Sequence, residues 1–329
     1  MRPLSIPRRS RNGRLRPKPR EIVLGQRDLC PNTTPEILVL EIDVNMIKLA
    51  LADLDDTLIP FGAACASDRA HAAIHSVHDA GMFFGPVTGR VPAAMEWMFS
   101  GDSACYSTGA FANGQIVKVE GEVVQLVTLQ GCYLQRVAKV LDEIGLDAWL
   151  AVYSPTDLSD VSIVTTRPQS VIDNPPKTWG SEIHGIVESV SPGPYVKANV
   201  QFRCSREQIS MIRDCLVREI PELRFVFPSL VAEVLDVNVG EWDKGDSVRL
   251  IARRLGVSLD EVVVFGDSDN DLSMIEVVPN SVAVANAATS VLDAARWHIG
   301  SAEDDAVATA LLDLVEAAKT GRTPSFMRQ

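Results

Sequence analysis

Five consecutive residues, Asp53-Leu54-Asp55-Asp56-Thr57, follow directly on a short apolar run, Ile47 to Ala52. Side chains alternate along an extended chain, so Asp53 and Asp55 project from one tight loop towards a common point. Two carboxylates held that close repel each other unless a proton or a cation lies between them. Mg²⁺ is the natural occupant, because it is bound by a few carboxylates together with water and phosphate oxygens. Three further polar clusters end or begin regular elements. Thr88-Gly89-Arg90 closes a second apolar run, where the Thr88 hydroxyl and the Gly89 amide can hold an anion. Lys244 opens a helical stretch, so its ammonium and the positive end of that helix can act on one phosphate. Gly266-Asp267-Ser268-Asp269-Asn270-Asp271 closes a third apolar run with more acids. Aspartate pair, threonine, lysine and a second acidic loop together describe phosphoryl transfer.

These groups meet only if the elements beneath them form one sheet. Ser67 reads as the N-cap of a helix to Ala80 with Gly81 as its stop, and Ala70, Ile74 and Val77 share one face. Met82 to Val87 reads as a strand and Pro92 to Phe99 as a helix. Lys244 to Leu255 reads as a helix stopped by Gly256, Glu261 to Phe265 as a strand, and Asp269 to Val277 as a helix. Strands alternating with helices of this length predict an α/β fold with a doubly wound parallel sheet, whose ligands sit at the carboxyl ends of the strands. The polar clusters fall at those ends. Gly85-Pro86 is out of place in a strand and predicts a bulge before Thr88. Between about 126 and 236 the pattern changes to helices (Leu134 to Ile144, Glu207 to Glu219) among β-rich runs (Val161 to Thr166, Val196 to Phe202, Ala232 to Val237). Asn174-Pro175-Pro176 and Ser191-Pro192-Gly193-Pro194 mark loops there. The expected division is a basic arm at 1–46, a core in two parts (47–125 and 237–320), an α+β insertion at 126–236 and a tail at 321–329.

The ordered set Asp53/Asp55/Thr57, Thr88-Gly89-Arg90, Lys244-Gly245 and Gly266-Asp267…Asn270-Asp271 with Met274 resembles the haloacid dehalogenase superfamily, and within it the Cof-type sugar-phosphatase family. Val282 to Ala287 and Asp305 to Ala308 resemble its closing segments, so the likeness covers most of 47–315. The resemblance implies that Asp53 is a nucleophile forming an aspartyl-phosphate and that Asp55 is the acid and then the base. It implies Mg²⁺ on Asp53, the Asp55 carbonyl and Asp267. Leu54 N–H, Thr88, Gly89, Lys244 and Asn270 would cradle the phosphoryl oxygens, with Thr57 and Asp271 supporting them. Asp271 would orient Lys244, and Ser268 is an additional contact. The long insertion between Thr88 and Lys244 corresponds to the family's second type of cap, a lid over a small phosphorylated substrate. Asp56 stands where many relatives have glycine, and Ala306 replaces a usual glycine.

Composition narrows the field further. The 329 residues carry a net charge of −12, and nine of the basic side chains lie in residues 1–46. The remainder is therefore more acidic still, which opposes binding to nucleic acid or anionic membranes. The most apolar candidate span, Ile37 to Ala52, is broken by Glu41, Asp43 and Lys48. Six cysteines without a CxxC pair read as reduced thiols of a cytoplasmic protein. The basic start reads as unstructured, with Met46 as a fresh start directly before the first strand; an organelle presequence or a nucleic-acid arm is the alternative. His71, His75 and His78 share a helix face and could hold a metal, but they lie opposite the apolar stripe and read as a solvated face. Gly101-Asp102-Ser103 reads as a turn; Trp149, Tyr153 and Lys197 of the insertion could touch substrate but read as core or surface residues. The leading expectation is a Mg²⁺-dependent phosphomonoesterase. A phosphotransferase or mutase of the same superfamily is the enzymatic alternative, and a receiver-type phospho-acceptor domain the non-enzymatic one.

Overall fold

The computed structural model describes residues 47–153, 160–173, 182–228 and 232–328. The basic arm, the expected start at Met46 and the Asn174-Pro175-Pro176 loop lie outside the described residues. In the first part of the core run β1 (Leu49–Ala52), α1 (Asp68–Asp79), β2 (Phe83–Pro86), α2 (Met95–Met98), β3 (Gly109–Phe111), β4 (Ile116–Val119) and β5 (Glu122–Leu126). The insertion contains β6 (Leu129–Gln130), α3 (Gly131–Ile144), β7 (Ala148–Tyr153), β8 (Asp160–Val164), α4 (Pro168–Asp173), β9 (Glu182–Val187) and β10 (Pro194–Tyr195). It ends with β11 (Ala198–Phe202), α5 (Arg206–Glu219), β12 (Leu223–Val226) and β13 (Val234–Val239). The core resumes with α6 (Lys244–Leu255), β14 (Val262–Gly266), α7 (Leu272–Val277), β15 (Asn280–Ala283), α8 (Thr289–Ala294), β16 (Trp297–His298) and α9 (Ala306–Thr320).

Five parallel strands form the core sheet in the order β16-β15-β14-β1-β2. Every residue of β1 and β14 is buried, as expected of short apolar runs covered on both faces. Around them pack the pairs α1 with α9 and α6 with α7. Ser67 caps α1 by accepting from Ala70 N, and Asp243 caps α6 by accepting from Asp246 N. β1 and β14 lie side by side, so the loops at 53 and 267 leave the sheet next to each other.

Two expectations need correction. No bulge precedes Thr88: β2 pairs with β1 in unbroken register through Pro86. The proline is tolerated because β2 is the edge strand of this sheet, so its missing N–H breaks no ladder. The insertion also extends past 236. β13 runs on to Val239 within a six-stranded sheet of order β12-β13-β11-β7-β8-β9, so the core resumes only after it. At the other end, the 321–329 tail folds a 3₁₀ turn at Ser325–Arg328 and buries Phe326 against Phe265.

Alternation gives the inserted sheet two unlike faces. Leu150, Val200, Leu235 and Val237 point towards α3 and α5 and form an apolar cluster with them. The opposite register of the same strands carries Asn199, Asp236 and Asn238, all buried although polar. Asn113 of the core donates to both Asp236 and Asn238, and Lys197 of the insertion itself donates to Asp236.

Candidate active site

Asp53 continues β1, its N–H donating to the Phe265 carbonyl of the neighbouring strand at 3.0 Å. Its carboxylate is buried, and Lys244 Nζ donates to Oδ1 at 2.9 Å. The same ammonium donates to Asp271 Oδ1 at 2.6 Å, and no part of the lysine side chain reaches solvent. Asp271 uses its other oxygen to accept from Asp267 N at 3.0 Å and Ser268 N at 3.1 Å, which fixes the second acidic loop. Thr57 Oγ1 donates to Asp267 Oδ1 at 2.8 Å, joining the two loops. Asp53, Asp267, Asp271, Thr57 and Lys244 are thus brought together as the spacing predicts.

Charge in this cluster is unbalanced. Burial pushes the Asp53 carboxyl up to about 7 despite the pull of Lys244. Burial, followed by the charges of Asp271 and Asp53, pushes Asp267 up to about 9. Burial alone would lower the Lys244 ammonium, but Asp271 and Asp53 outweigh it and hold it above the ordinary lysine range. Three carboxylates have ligand oxygens within 4.8 Å of one another, and the ammonium that touches two of them supplies a single positive charge. Oxygen-only donors with surplus negative charge fit a hard divalent cation.

The Asp55 carboxylate lies near enough for its charge to act on Asp53, and a cation of its own holds it. Arg90 grips its carboxylate in a fork, Nε to Oδ2 at 2.9 Å and Nη2 to Oδ1 at 2.7 Å. The loop closes through Asp56, whose φ of 63° lies in the left-handed region where glycine is at ease. Thr88 is buried, and its Oγ1 accepts from Arg90 N at 3.1 Å. The Ser268 hydroxyl donates to the Pro228 carbonyl at 2.9 Å, so it faces the inserted domain. Asn270 Nδ2 donates to Asn113 Oδ1 at 3.2 Å.

Several residues at this place escape sequence reasoning. Lys197, weighed as a substrate contact but read as core or surface, donates from Nζ to the Gly89 carbonyl at 2.9 Å and to Asp236 Oδ1 at 2.6 Å. Asn113 Nδ2 donates to Asp236 Oδ2 at 2.7 Å and to Asn238 Oδ1 at 3.3 Å. A Cβ on Gly89 would stand 2.9 Å from Asp236 Oδ2, so only glycine allows so close an approach. Gln115 adds a clasp, donating to the Val196 carbonyl at 2.6 Å and accepting from Val239 N at 3.3 Å. The only available signal was polar residues at alternate positions of two strands, a pattern that also describes a solvated face. A cleft of about 360 Å³ opens beside this network, lined by Asn113, Asn238, Lys244 and Asn270 among others, although Asp53 does not line it.

Known proteins resemble this chain in sequence and in fold. The model of a haloacid dehalogenase-like hydrolase family matches residues 50–311. A Bacillus subtilis protein named "Putative phosphatase YxeH" is 33% identical over 118 residues, 36% of this chain and 43% of that one, so the likeness spans less than half of that relative's length. The structure of SMU.1108c from Streptococcus mutans UA159 superposes with a TM-score of 0.69 at 17% identity, covering 82% of this chain and 99% of that one. The HAD subclass IIB sugar phosphatase BT4131 superposes with a TM-score of 0.66 at 20% identity, covering 80% and 98%.

Proposed function

The chain belongs to the haloacid dehalogenase-like hydrolases, and on that premise we propose that it is a Mg²⁺-dependent phosphomonoesterase of small sugar phosphates. The observation that carries this reading is the buried Asp53 carboxylate held on Lys244, with Asp267 and Asp271 beside it. Asp53 attacks the phosphorus and the ester oxygen leaves with the bonding pair, giving an aspartyl-phosphate. Asp55 protonates the leaving alkoxide, then takes a proton from the water that hydrolyses the acyl phosphate and frees Asp53. Arg90 has to release Asp55 for this step, since it engages both carboxylate oxygens. Lys244, Thr88, Asn270 and the amides of Leu54 and Gly89 face the phosphoryl oxygens, where charge spreads in the transition state. Mg²⁺ on Asp53, Asp267 and the Asp55 carbonyl would offset the repulsion between carboxylate and phosphate dianion.

The preference for a sugar rests on the inserted domain acting as a cap. Its polar face offers Lys197 paired with Asp236, together with Asn238, and Asn113 of the core reaches up to both acceptors. Donors and acceptors are mixed and the lysine is neutralised, which suits hydroxyl groups better than a second anion. The structural likeness to a sugar phosphatase supports the same reading. Purified protein should hydrolyse p-nitrophenyl phosphate and release inorganic phosphate, with activity lost in EDTA and restored by Mg²⁺. Asp53→Asn should lower turnover by ~10³-fold or more. Normal turnover by that variant would refute the mechanism, and phosphate passed to an acceptor in place of water would make the enzyme a phosphotransferase.

A further inference from the structure

The histidine face of α1 is not merely solvated. His71 Nδ1 lies 3.4 Å from Asp102 Oδ2, and Cys105 Sγ lies 3.8 Å from that nitrogen and 3.5 Å from that oxygen. A tetrahedral zinc ion, with bonds near 2.0–2.1 Å to nitrogen and oxygen and 2.3 Å to sulfur, sets its ligands about 3.4 Å apart for N···O and about 3.6 Å for S···N and S···O. The three observed separations match one triangular face of that tetrahedron to within about 0.3 Å. The triangle is well braced. His71 stands edge-on to the Phe99 ring at 5.9 Å, Cys105 is buried, and His75 Nε2 sits 2.6 Å from the same Asp102 oxygen. It shares no residue with the cluster around Asp53.

We propose that His71 Nδ1, Asp102 Oδ2 and Cys105 Sγ form a second metal site, selective for a Zn²⁺-class ion and separate from the phosphoryl-transfer centre. On binding, the Cys105 S–H bond breaks, its electron pair goes to the metal and the proton leaves to solvent. His71 gives the Nδ1 lone pair and keeps its proton on Nε2, and Asp102 binds as the carboxylate. Thiolate and carboxylate together cancel the double positive charge. Water takes the fourth position, open because His71 and Asp102 are only partly covered. His75 Nε2, 2.6 Å from that same Asp102 oxygen, holds it as an outer partner. Thiolate and imidazole select zinc, whereas the all-oxygen cluster at Asp53 selects magnesium, so ligand softness sorts the two ions. The bound ion would tie α1 to the turn that follows α2.

The test is to titrate the purified full chain, stripped of metal, with Co²⁺ in excess Mg²⁺. One equivalent should bind with a thiolate-to-cobalt charge-transfer band and the strong visible bands of tetrahedral cobalt, and Zn²⁺ should displace it. Cys105→Ser and His71→Ala should lose the band, Asp53→Asn should keep it, and His75→Gln should weaken binding roughly 10–100-fold. Asp102→Asn, a partly exposed position, should also lose it and serves if Cys105→Ser does not fold. Absence of the band, its persistence in Cys105→Ser or Asp102→Asn, or its loss in Asp53→Asn would overturn the assignment.

Discussion

Asp267 and Asp53 are carboxylates that the fold holds where ionisation is costly. Both are raised from an unfolded value near 3.8, Asp53 to about 7 and Asp267 to about 9. A group whose folded pKa is raised contributes stability that is complete below the unfolded value and is lost as pH climbs through the folded one. The metal-free protein should therefore lose thermal stability from about pH 4 up to about pH 9, most steeply below pH 7, where both groups contribute. Each kcal/mol lost corresponds to about 2–4 °C in Tm. Mg²⁺ takes the place of the protons, so its stabilising effect should be larger at pH 9 than at pH 6. Asp267→Asn should flatten the metal-free profile and abolish the response to Mg²⁺. Thermal scans with EDTA or Mg²⁺ across that range check both, and a metal-free Tm that rises with pH would contradict them. The acids in question were readable because each follows an apolar run that had to be a buried strand. The grip of Arg90 on Asp55 was not, since nothing local determines which of two nearby cations a carboxylate meets.

Alternation of apolar runs and capped helices was enough to locate β1, α1, α6, β14 and two helices of the insertion, α3 and α5, because each is specified within its own dozen residues. What failed was local in a different way. Pro86 looked like a defect because the edge position of β2 depends on which strands pair, which is a property of the whole sheet. Beside it, Gly85 has a role only the folded chain reveals: a Cβ there would meet the Thr108 carbonyl at 2.4 Å. That contact lets β3 approach the strand end, where Thr88 N donates to the Ala110 carbonyl at 2.8 Å. Gly85→Ala should therefore push a backbone segment away and cost about 1–3 kcal/mol, the range for overpacked interiors. It should also lower phosphatase activity, because Thr88 sits three residues on. Urea denaturation together with kcat measures both effects. A variant as stable and active as the parent would show that the Thr108 segment yields easily.

At the scale of the molecule, the insertion meets the core through side chains more than a hundred positions apart. Lys197 reaches Gly89, and Asn113 reaches Asp236. No periodicity encodes such pairs, which is why the boundary was drawn just after Asp236, inside β13, and why Lys197, weighed as a substrate contact, was read as core or surface. Their energetics make them testable as a unit. Lys197 and Asp236 are both almost fully buried, so removing one strands the other's charge, whereas removing both does not. Lys197→Met should cost about 3–5 kcal/mol of whatever state holds the two domains together. If that state is the one in which substrate reacts, kcat/KM for a sugar phosphate should fall by ~10²-fold or more while p-nitrophenyl phosphate, which has no hydroxyls to recognise, loses less. The pair Lys197→Met with Asp236→Leu should recover part of the loss, giving a coupling energy that an independent-site account would put at zero. Equal losses on both substrates, with no recovery in the double variant, would mean that the network only braces the inserted sheet and that recognition lies elsewhere along the cleft.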